Sequence, residues 1–154
     1  MDFSDICLLT TNDTKAVNEI STSYWGDKGF YPDYLLLPII SKGYSYCIKI
    51  LGDILAFCIL DVTPKQCTVY LLAVKKNYTR KGLMKKLLGY TLTNARMSGH
   101  KKFILRVAVK NEAAIALYKQ FGFQTVSYLK NYYKDFSTNP KENDAYKMEL
   151  KFSV

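Results

Sequence analysis

The sequence predicts an α/β (α+β) fold in which helices pack on a mixed, mostly antiparallel sheet. Alternating apolar residues predict about six to seven strands, and apolar residues at helical spacing predict about four helices. One amphipathic helix lies between two strands, which implies a parallel pair, whereas a hairpin in the first half implies antiparallel neighbours. The chain has 154 residues and no internal repeat or linker, so we expect residues 1–154 to form one domain.

The first half of the chain is expected to supply two helices and the antiparallel part of the sheet. Thr11 and Asn12 are candidate N-caps for a helix with Ala16, Val17 and Ile20 on its apolar face. The other predicted elements are a strand at Ile6–Thr10, a loop over Ser23–Pro32, a short helix over Asp33–Ile40 interrupted by Pro38, a hairpin of Tyr44–Ile50 and Ile54–Val62, and a buried strand at Thr68–Val74.

The second half is expected to alternate helices and strands. An apolar helical face begins at Met84, continues through Ala95 and ends near Gly99, and a second helix lies between Asn111 as N-cap and Gly122 as C-cap. The predicted strands of this half are Phe103–Val109, Phe123–Lys130 and Ala145–Lys151.

Composition argues against several classes of function. The four cysteines form no CxxC pair and there is one histidine, His100, so we expect no metal. Cys7, Cys47 and Cys58 lie among apolar residues and are interpreted as reduced core thiols of a cytoplasmic protein. No signal peptide and no membrane span are predicted.

Positive charge is concentrated in one part of the chain. The formal net charge is +9, and eight cations contribute to one stretch: Lys75, Lys76, Arg80, Lys81, Lys85, Lys86, Lys101 and Lys102. Such a patch favours nucleic acid, a ribosome surface or a small ligand with several phosphates, but it is also typical of a solvated basic face. Charge alone does not distinguish these alternatives.

The basic turn from Val74 to Met84 joins a predicted buried strand to an amphipathic helix. Backbone N–H groups at such a helix start, together with the helix dipole, favour an anion. Gly82 permits a close approach of the backbone to a ligand, and Arg80, Lys81 and Lys85 add charge. By itself, one glycine in a basic turn is equally typical of an ordinary strand–helix connection.

Motifs in both halves resemble the GNAT superfamily of acetyl-CoA-dependent acetyltransferases over nearly the whole chain. Within it the chain is most similar to N-terminal acetyltransferases of the ribosomal-protein-alanine type and their eukaryotic relatives. The resemblance implies a GNAT fold and acetyl transfer to an amine. The motifs that carry it are Leu72–Val74 with Tyr78–Leu83, Asn111–Tyr118 with Phe121–Phe123, Lys130–Tyr133 with Asp144–Met148, and, more loosely, Tyr24–Lys28.

The resemblance also implies roles for particular residues. The Val74 backbone N–H would polarise the thioester carbonyl, and Tyr118 would protonate the leaving thiolate. Asn111 would contact pantetheine as well as cap its helix. The implied acetyl-CoA site comprises Leu72, Ala73, Val74, Arg80, Lys81, Gly82, Leu83, Met84, Lys85, Asn111 and Tyr118, and the implied acceptor site comprises Tyr24, Trp25, Arg106, Tyr132 and Tyr133.

Three positions and one loop depart from the family pattern. Thr79 stands where Arg or Gln is usual, and Met84 stands where Gly or Ala is usual, which could crowd the pyrophosphate. Arg106 stands where bacterial relatives have a glutamate base and some eukaryotic relatives a histidine, and arginine cannot accept a proton at neutral pH. The loop Lys134–Asn143 is longer than in bacterial relatives.

The missing base favours α-amino groups as acceptors. An α-amino group with a pKa near ~8 is roughly one-tenth neutral at pH 7, whereas a lysine near ~10.4 is neutral only at about 0.04%. Protons could leave through water held by Tyr70, Tyr133 or an acidic side chain. Arg106 either organises charge, pairing with a carboxylate and lowering the pKa of the amine, or is an exposed bystander.

These inferences predict acetyl transfer to a protein N-terminus. The expected partners are acetyl-CoA and a peptide N-terminus, including at the ribosome, with no membrane and no specific nucleic acid. Two alternatives stay open: a GNAT enzyme for a lysine side chain or a small-molecule amine, and an acetyl-CoA-binding module without catalysis. Thr79, Met84 and Arg106 favour the last alternative, whereas Asn111 and Tyr118 disfavour it.

Overall fold

The computed structural model describes residues 5–134 and 143–153. Their sheet has seven strands in the order β1-β2-β3-β4-β5-β7-β6. The strands are β1 (Ile6–Leu8), β2 (Tyr46–Ile50), β3 (Asp53–Val62), β4 (Cys67–Val74), β5 (Lys102–Ala108), β6 (Gln124–Leu129) and β7 (Ala145–Lys151). The α-helices are α1 (Thr14–Trp25), α2 (Asp33–Ile40), α3 (Leu83–Met97) and α4 (Glu112–Gln120), with short 3-10 helices at Gly26–Gly29 and Lys76–Tyr78.

All strand pairs are antiparallel except β4 with β5. Helix α3 makes the crossover between these two strands, so the predicted parallel pair is confirmed. The β2–β3 hairpin is also confirmed, and positive φ angles at Leu51 (51°) and Gly52 (86°) are those of a two-residue I′ turn.

Each face of the sheet has its own core. Helices α3 and α4 cover one face, where Leu87, Leu88 and Phe103 are fully buried, each contributing about 1.5–3 kcal/mol. Helices α1 and α2 cover the β1–β4 half of the other face, with Val17 and Phe57 at its centre. The second core explains why the middle of β3 is apolar on both sides, since neither face of it meets solvent.

Several local predictions were wrong in detail. The N-cap of α1 is Asp13 rather than Thr11 or Asn12, and its carboxylate turns back to accept from the Thr10 N–H at 2.8 Å. Helix α2 continues through Pro38, although this residue has no backbone N–H to donate. Burial of the helix face that carries Leu36 and Ile40 stabilises the helix despite the missing hydrogen bond.

The prediction of a buried Cys7 was also wrong. Cys7 is exposed because β1 is an edge strand, although its Sγ lies 3.6 Å from the Sγ of buried Cys47. No helix in the described part of the chain combines the length and apolarity that crossing a bilayer requires.

Candidate active site

The candidate site lies where β4 and β5 separate. Their parallel pairing includes only Cys67 with Phe103 and Thr68 with Ile104, at the start of both strands. The residues that follow on each strand are no longer paired with the other strand. The resulting interstrand gap, bounded by Tyr70–Val74 on β4 and Leu105–Ala108 on β5, exposes strand backbone to a ligand.

A β-bulge at Tyr70 sets which side chains border this gap. Ile59 pairs with Leu71 and Leu60 pairs with Val69, so Tyr70 is the extra residue on β4. Before the bulge Val69 packs on the α3/α4 face, and after it Leu71 packs on the opposite face. The bulge therefore turns Tyr70 outward, where it is 38% exposed, and returns Leu72 and Val74 to the α3/α4 side.

The Val74 amide points into the interstrand gap. The Lys75 N–H donates to Leu55 O of β3 at 2.7 Å. Because successive amides of a strand point to opposite sides, the N–H and C=O of Val74 point away from β3. The Val74 side chain is buried at 4% exposure, so packing holds this amide in position. It is a preorganised donor of the kind that polarises a carbonyl.

Tyr24 reaches the same point from α1. Its hydroxyl donates to Val74 O at 2.5 Å, and the Lys76 Nζ lies 5.1 Å from its ring centroid. The predicted Ser23–Pro32 loop was wrong here, because α1 extends through Trp25 and ends at Gly26 with φ 58°. Tyr24 and Trp25 therefore lie in the last helical turn, with ring centroids 5.7 Å apart, and Trp25 is 44% exposed.

The turn after β4 has the geometry of an anion site. Arg80 (φ 64°) and Gly82 (φ 75°) are both left-handed, with Lys81 between them, and α3 begins directly afterwards. Alternation of this kind brings successive N–H groups to one side as a nest, next to the free N–H groups of the first helical turn. Lys85 adds an exposed cation there. The side chains of Leu83 and Met84 are partly buried and pack against the core, and crowding of a pyrophosphate by Met84 stays a prediction.

Helix α4 carries the predicted acid of the site. Asn111 caps it, accepting from the Ala114 N–H at 3.2 Å, as predicted. Tyr118 lies on the buried face of α4, in the same core to which Leu72 and Val74 belong. Burial, and to a smaller extent the neighbouring Cys58 and Tyr133, raise the pKa of Tyr118 well above its usual value. The phenol therefore remains a proton donor throughout the neutral range.

The residues predicted for the acceptor side include those of the turn after β6. Asp144 accepts from the Asn131 N–H at 2.9 Å and from the Tyr128 hydroxyl, and these bonds hold the pKa of its carboxyl below the usual value. The Tyr133 N–H donates to Asn143 O at 2.8 Å. Residues 135–142 of the predicted long loop lie outside the described residues.

Four tyrosines come together beside the gap, and we call Tyr31, Tyr70, Tyr132 and Tyr133 the tyrosine cluster. The rings of Tyr31 and Tyr70 meet edge to face at 5.9 Å, and those of Tyr132 and Tyr133 meet at 4.9 Å. Burial first, and then the neighbouring Tyr132 and Tyr31, raise the pKa of Tyr133 to about 12. Burial likewise is the main cause that raises the pKa values of Tyr31 and Tyr70, so these two phenols and Tyr133 are polar but uncharged at neutral pH.

Tyr31 was not among the predicted site residues. Asn18 of α1 holds it by both backbone groups, donating to Tyr31 O at 2.9 Å and accepting from Tyr31 N at 2.7 Å. The contact joins residues 13 positions apart, and nothing in the local sequence indicates it. Only the packing of α1 against the segment before α2 brings Tyr31 to Tyr70.

Arg106 projects from β5 on the same side of the sheet. It is exposed, and its charge lowers the pKa of the Tyr133 hydroxyl, opposing the effect of burial. Among residues 5–134 and 143–153, no carboxylate forms an ion pair with Arg106. The expected carboxylate partner is therefore not found in the described part of the chain, and the residue directly opposite on β7 is Lys147.

Comparison with known proteins shows the family of the chain. Residues 14–123 match the acetyltransferase (GNAT) family. The chain belongs to this family. A [ribosomal protein bS18]-alanine N-acetyltransferase of Salmonella typhimurium is 30% identical over 156 residues, covering 97% of this chain and 98% of that protein. The N-alpha-acetyltransferase 50 of Danio rerio is 26% identical over 137 residues, covering 87% and 80%.

A solved structure extends the agreement to the fold. The crystal structure of the ribosomal-protein-S18-alanine N-acetyltransferase from Escherichia coli superposes with a TM-score of 0.80 at 27% identity, covering 97% of this chain and 94% of that one. The predicted GNAT fold, with seven strands and four α-helices among the described residues, is confirmed. The protein is accordingly a GNAT acetyltransferase with N-acetyltransferase relatives.

Proposed function

We propose that this GNAT enzyme transfers the acetyl group of acetyl-CoA to the α-amino group of a protein N-terminus. The observation that carries the proposal is the interstrand gap, which the Val74 N–H faces and which Tyr70 of the tyrosine cluster borders, while Tyr118 lies in the same core as Val74. A thioester donor and an amine acceptor can meet there, from opposite faces of the sheet. The identity of the N-terminal acetyltransferase relatives supports the choice of acceptor.

Acetyl-CoA fits the residues on the α3/α4 side. The nest at Arg80–Gly82 and the α3 N-terminus would hold the pyrophosphate, and Asn111 would contact pantetheine. Acetyl-CoA supplies an activated acyl group. Donation by the Val74 N–H to the thioester oxygen stabilises the charge that develops there when the amine attacks. As the C–S bond breaks, the Tyr118 hydroxyl gives its proton to the sulfur.

The amine must lose a proton without a strong base. The chain has Arg106 at the usual base position, and the pKa values of Tyr70 and Tyr133 are raised, chiefly by burial. Their hydroxyls can hold a water but do not take the proton as phenolates at pH 7. A fraction of the acceptor amine must therefore already be neutral in solution before it binds, and an α-amino group meets this condition.

Binding of acetyl-CoA is expected at the turn between β4 and α3. Calorimetry should show saturable heat and thermal unfolding should shift upward, with affinity falling as salt screens the phosphates. Replacement of Lys81 and Lys85 by Gln should weaken binding, whereas the same change at Lys15 and Lys65, exposed elsewhere, should not. Absence of heat and of a thermal shift at millimolar acetyl-CoA would contradict the proposal.

Replacement of Arg106 by Gln tests whether its charge assists the acceptor. A cation beside the amine lowers the pKa of the amine, and each pKa unit changes the neutral fraction about tenfold well below that pKa. We expect Arg106→Gln to lose turnover at pH 7 and to recover part of it at pH 9, where the amine is already neutral. Identical pH–rate profiles for the two proteins would make Arg106 a bystander.

A further inference from the structure

The face of the sheet on which the acceptor would lie carries a row of cations. Strand β5 directs Phe103 and Leu105 into the α3/α4 core, so the alternate residues of β5 and their partners on β7 lie on the opposite face. Lys102 stands directly opposite Lys151, and Arg106 stands directly opposite Lys147. We call Lys102, Arg106, Lys147 and Lys151 the cationic strip.

This arrangement costs folding free energy. Like charges directly opposite each other on neighbouring strands are destabilising, and the strip contains two such pairs, with the pair of Ile104 and Glu149 between them. Among the described residues of this face, Glu149 provides the counter-charge, with its carboxylate 3.0 Å from Lys151 Nζ. That hydrogen bond and the charges of Lys102, Lys151 and Lys147 lower the pKa of Glu149, so all three lysines act on this one carboxylate. One carboxylate leaves the strip with a net charge of about +3.

The strip is continuous with the acceptor side of the candidate site. Arg106 lies close enough to Tyr133 to influence its pKa, and Tyr133 belongs to the tyrosine cluster. Helices α1 and α2 pack on β3 and β4, and among the described residues their core contains none from β5, β6 or β7. Arg106 and Lys151 are exposed, and Lys102 and Lys147 are half-buried. The nearest carboxylate on β3, Asp61, is 3.0 Å from Lys42 Nζ, so its charge is offset.

We propose that the cationic strip selects acceptor N-termini with acidic residues just after the terminal residue. The proposal rests on the proposed function, because the strip is offered as the continuation of that acceptor site. Arg106 lies four residue steps along β5 from Lys102, a distance of about 13 Å. An extended acceptor segment of about four residues spans the same distance, so the carboxylates that follow its first residue lie within reach of the strip. Binding of these carboxylates relieves the repulsion between the opposed cations of the cationic strip.

The test compares acceptor peptides that differ only in the charge of residues 2–5. The first residue, length and aromatic content stay fixed, and those four positions are acidic, neutral or basic. At low ionic strength we expect kcat/KM for the acidic peptide to exceed that for the basic one about tenfold, chiefly through KM, since several screened ion pairs of this kind add to that order. At about 0.5 M salt, where the Debye length is only a few Å, the preference should shrink towards unity.

Two triple variants separate the strip from the overall charge. Lys102→Gln, Lys147→Gln and Lys151→Gln together should abolish most of the preference. The matched control changes Lys15, Lys65 and Lys119 to Gln, removes the same charge from exposed positions elsewhere, and should retain the preference. Equal kcat/KM for all peptides, or an unchanged preference in the strip variant, would overturn the inference.

A binding measurement keeps this inference separate from the proposed function. Anisotropy of the labelled acidic peptide, in the presence of CoA, should report weaker binding to the strip variant than to the control even if no peptide is acetylated. No turnover with any peptide would count against the proposed function alone. A single-stranded RNA oligonucleotide of equal charge that displaces the acidic peptide at lower concentration would overturn the inference, because the strip would then be a phosphate-binding face.

Discussion

Replacement of Tyr118 by Phe should lower kcat by ~10²–10⁴, the range typical for loss of a general acid, while acetyl-CoA affinity changes little. The ring stays in place because its packing with Phe123, at a centroid distance of 6.0 Å, does not involve the hydroxyl. Steady-state kinetics with an N-terminal peptide, together with calorimetric titration of acetyl-CoA, measure the two quantities. The physical reason is that, without the Tyr118 hydroxyl, no positioned group donates a proton to the departing thiolate.

The control for this variant is Tyr44→Phe. Tyr44 packs edge to face against His100 at 5.3 Å, away from the interstrand gap, so its hydroxyl should not matter for turnover. Equal kcat in the wild type and Tyr118→Phe would mean that Tyr118 only packs. The high pKa of Tyr118 adds a second expectation: the acidic limb of the pH profile should not depend on this residue, which is protonated at every pH below that pKa.

Replacement of Val74 by Pro should lower kcat by about 10²–10³, the effect of deleting one donor to a developing oxyanion. Proline has no N–H, and the Val74 amide makes no ladder bond to β3 because it points away from that strand. The neighbouring bond from Lys75 N–H to Leu55 O can therefore remain. Turnover and circular dichroism should be measured together, so that loss of activity is separated from loss of fold.

Val74→Ala is the matched control, since it keeps the amide and removes only side-chain carbons. The buried side chain should contribute about 1.5–3 kcal/mol to the free energy of unfolding, so this variant loses stability but little kcat. If the alanine and proline variants lose kcat equally, the packing of Val74 matters and its N–H does not. The backbone donor would then have to be sought elsewhere on β4.

The order of elements could be predicted because it depends on local patterns. The continuous apolar run of β3, the amphipathic faces of α3 and α4, and the Asn111 cap are properties of consecutive residues. The parallel β4–β5 pair followed from the crossover helix alone. These features require no knowledge of what packs against them.

The details of the site depend on contacts between distant residues. The bulge at Tyr70 appears only when β4 is aligned with β3, and it reverses the face of every residue after it. The Asn18 contact that fixes Tyr31 joins residues 13 positions apart in the chain. The hydrogen bond from the Tyr24 hydroxyl to Val74 O joins residues 50 positions apart. Tertiary packing sets the positions of these side chains and overrides local propensity. The sequence motifs therefore identified candidate residues but did not indicate the contacts between them.

The opposed cations of β5 and β7 illustrate the same limit. Lys102, Arg106, Lys147 and Lys151 are each unremarkable as surface residues, and the two segments are far apart in the chain. Their juxtaposition becomes visible only in the register of the β5–β7 pair.

The central claim is that the acceptor is an α-amino group, and a pH–rate profile on two matched peptides tests it most directly. One peptide has a free N-terminus and no lysine, and the other has an acetylated N-terminus and one lysine. The account predicts that kcat/KM for the first exceeds that for the second by ~10² or more at pH 7, since roughly a tenth of α-amines but only about 0.04% of lysine amines are neutral. It also predicts a rise of tenfold per pH unit that levels near ~8 for the first peptide and continues towards ~10 for the second. Equal or faster acetylation of the lysine peptide at pH 7 would contradict the account.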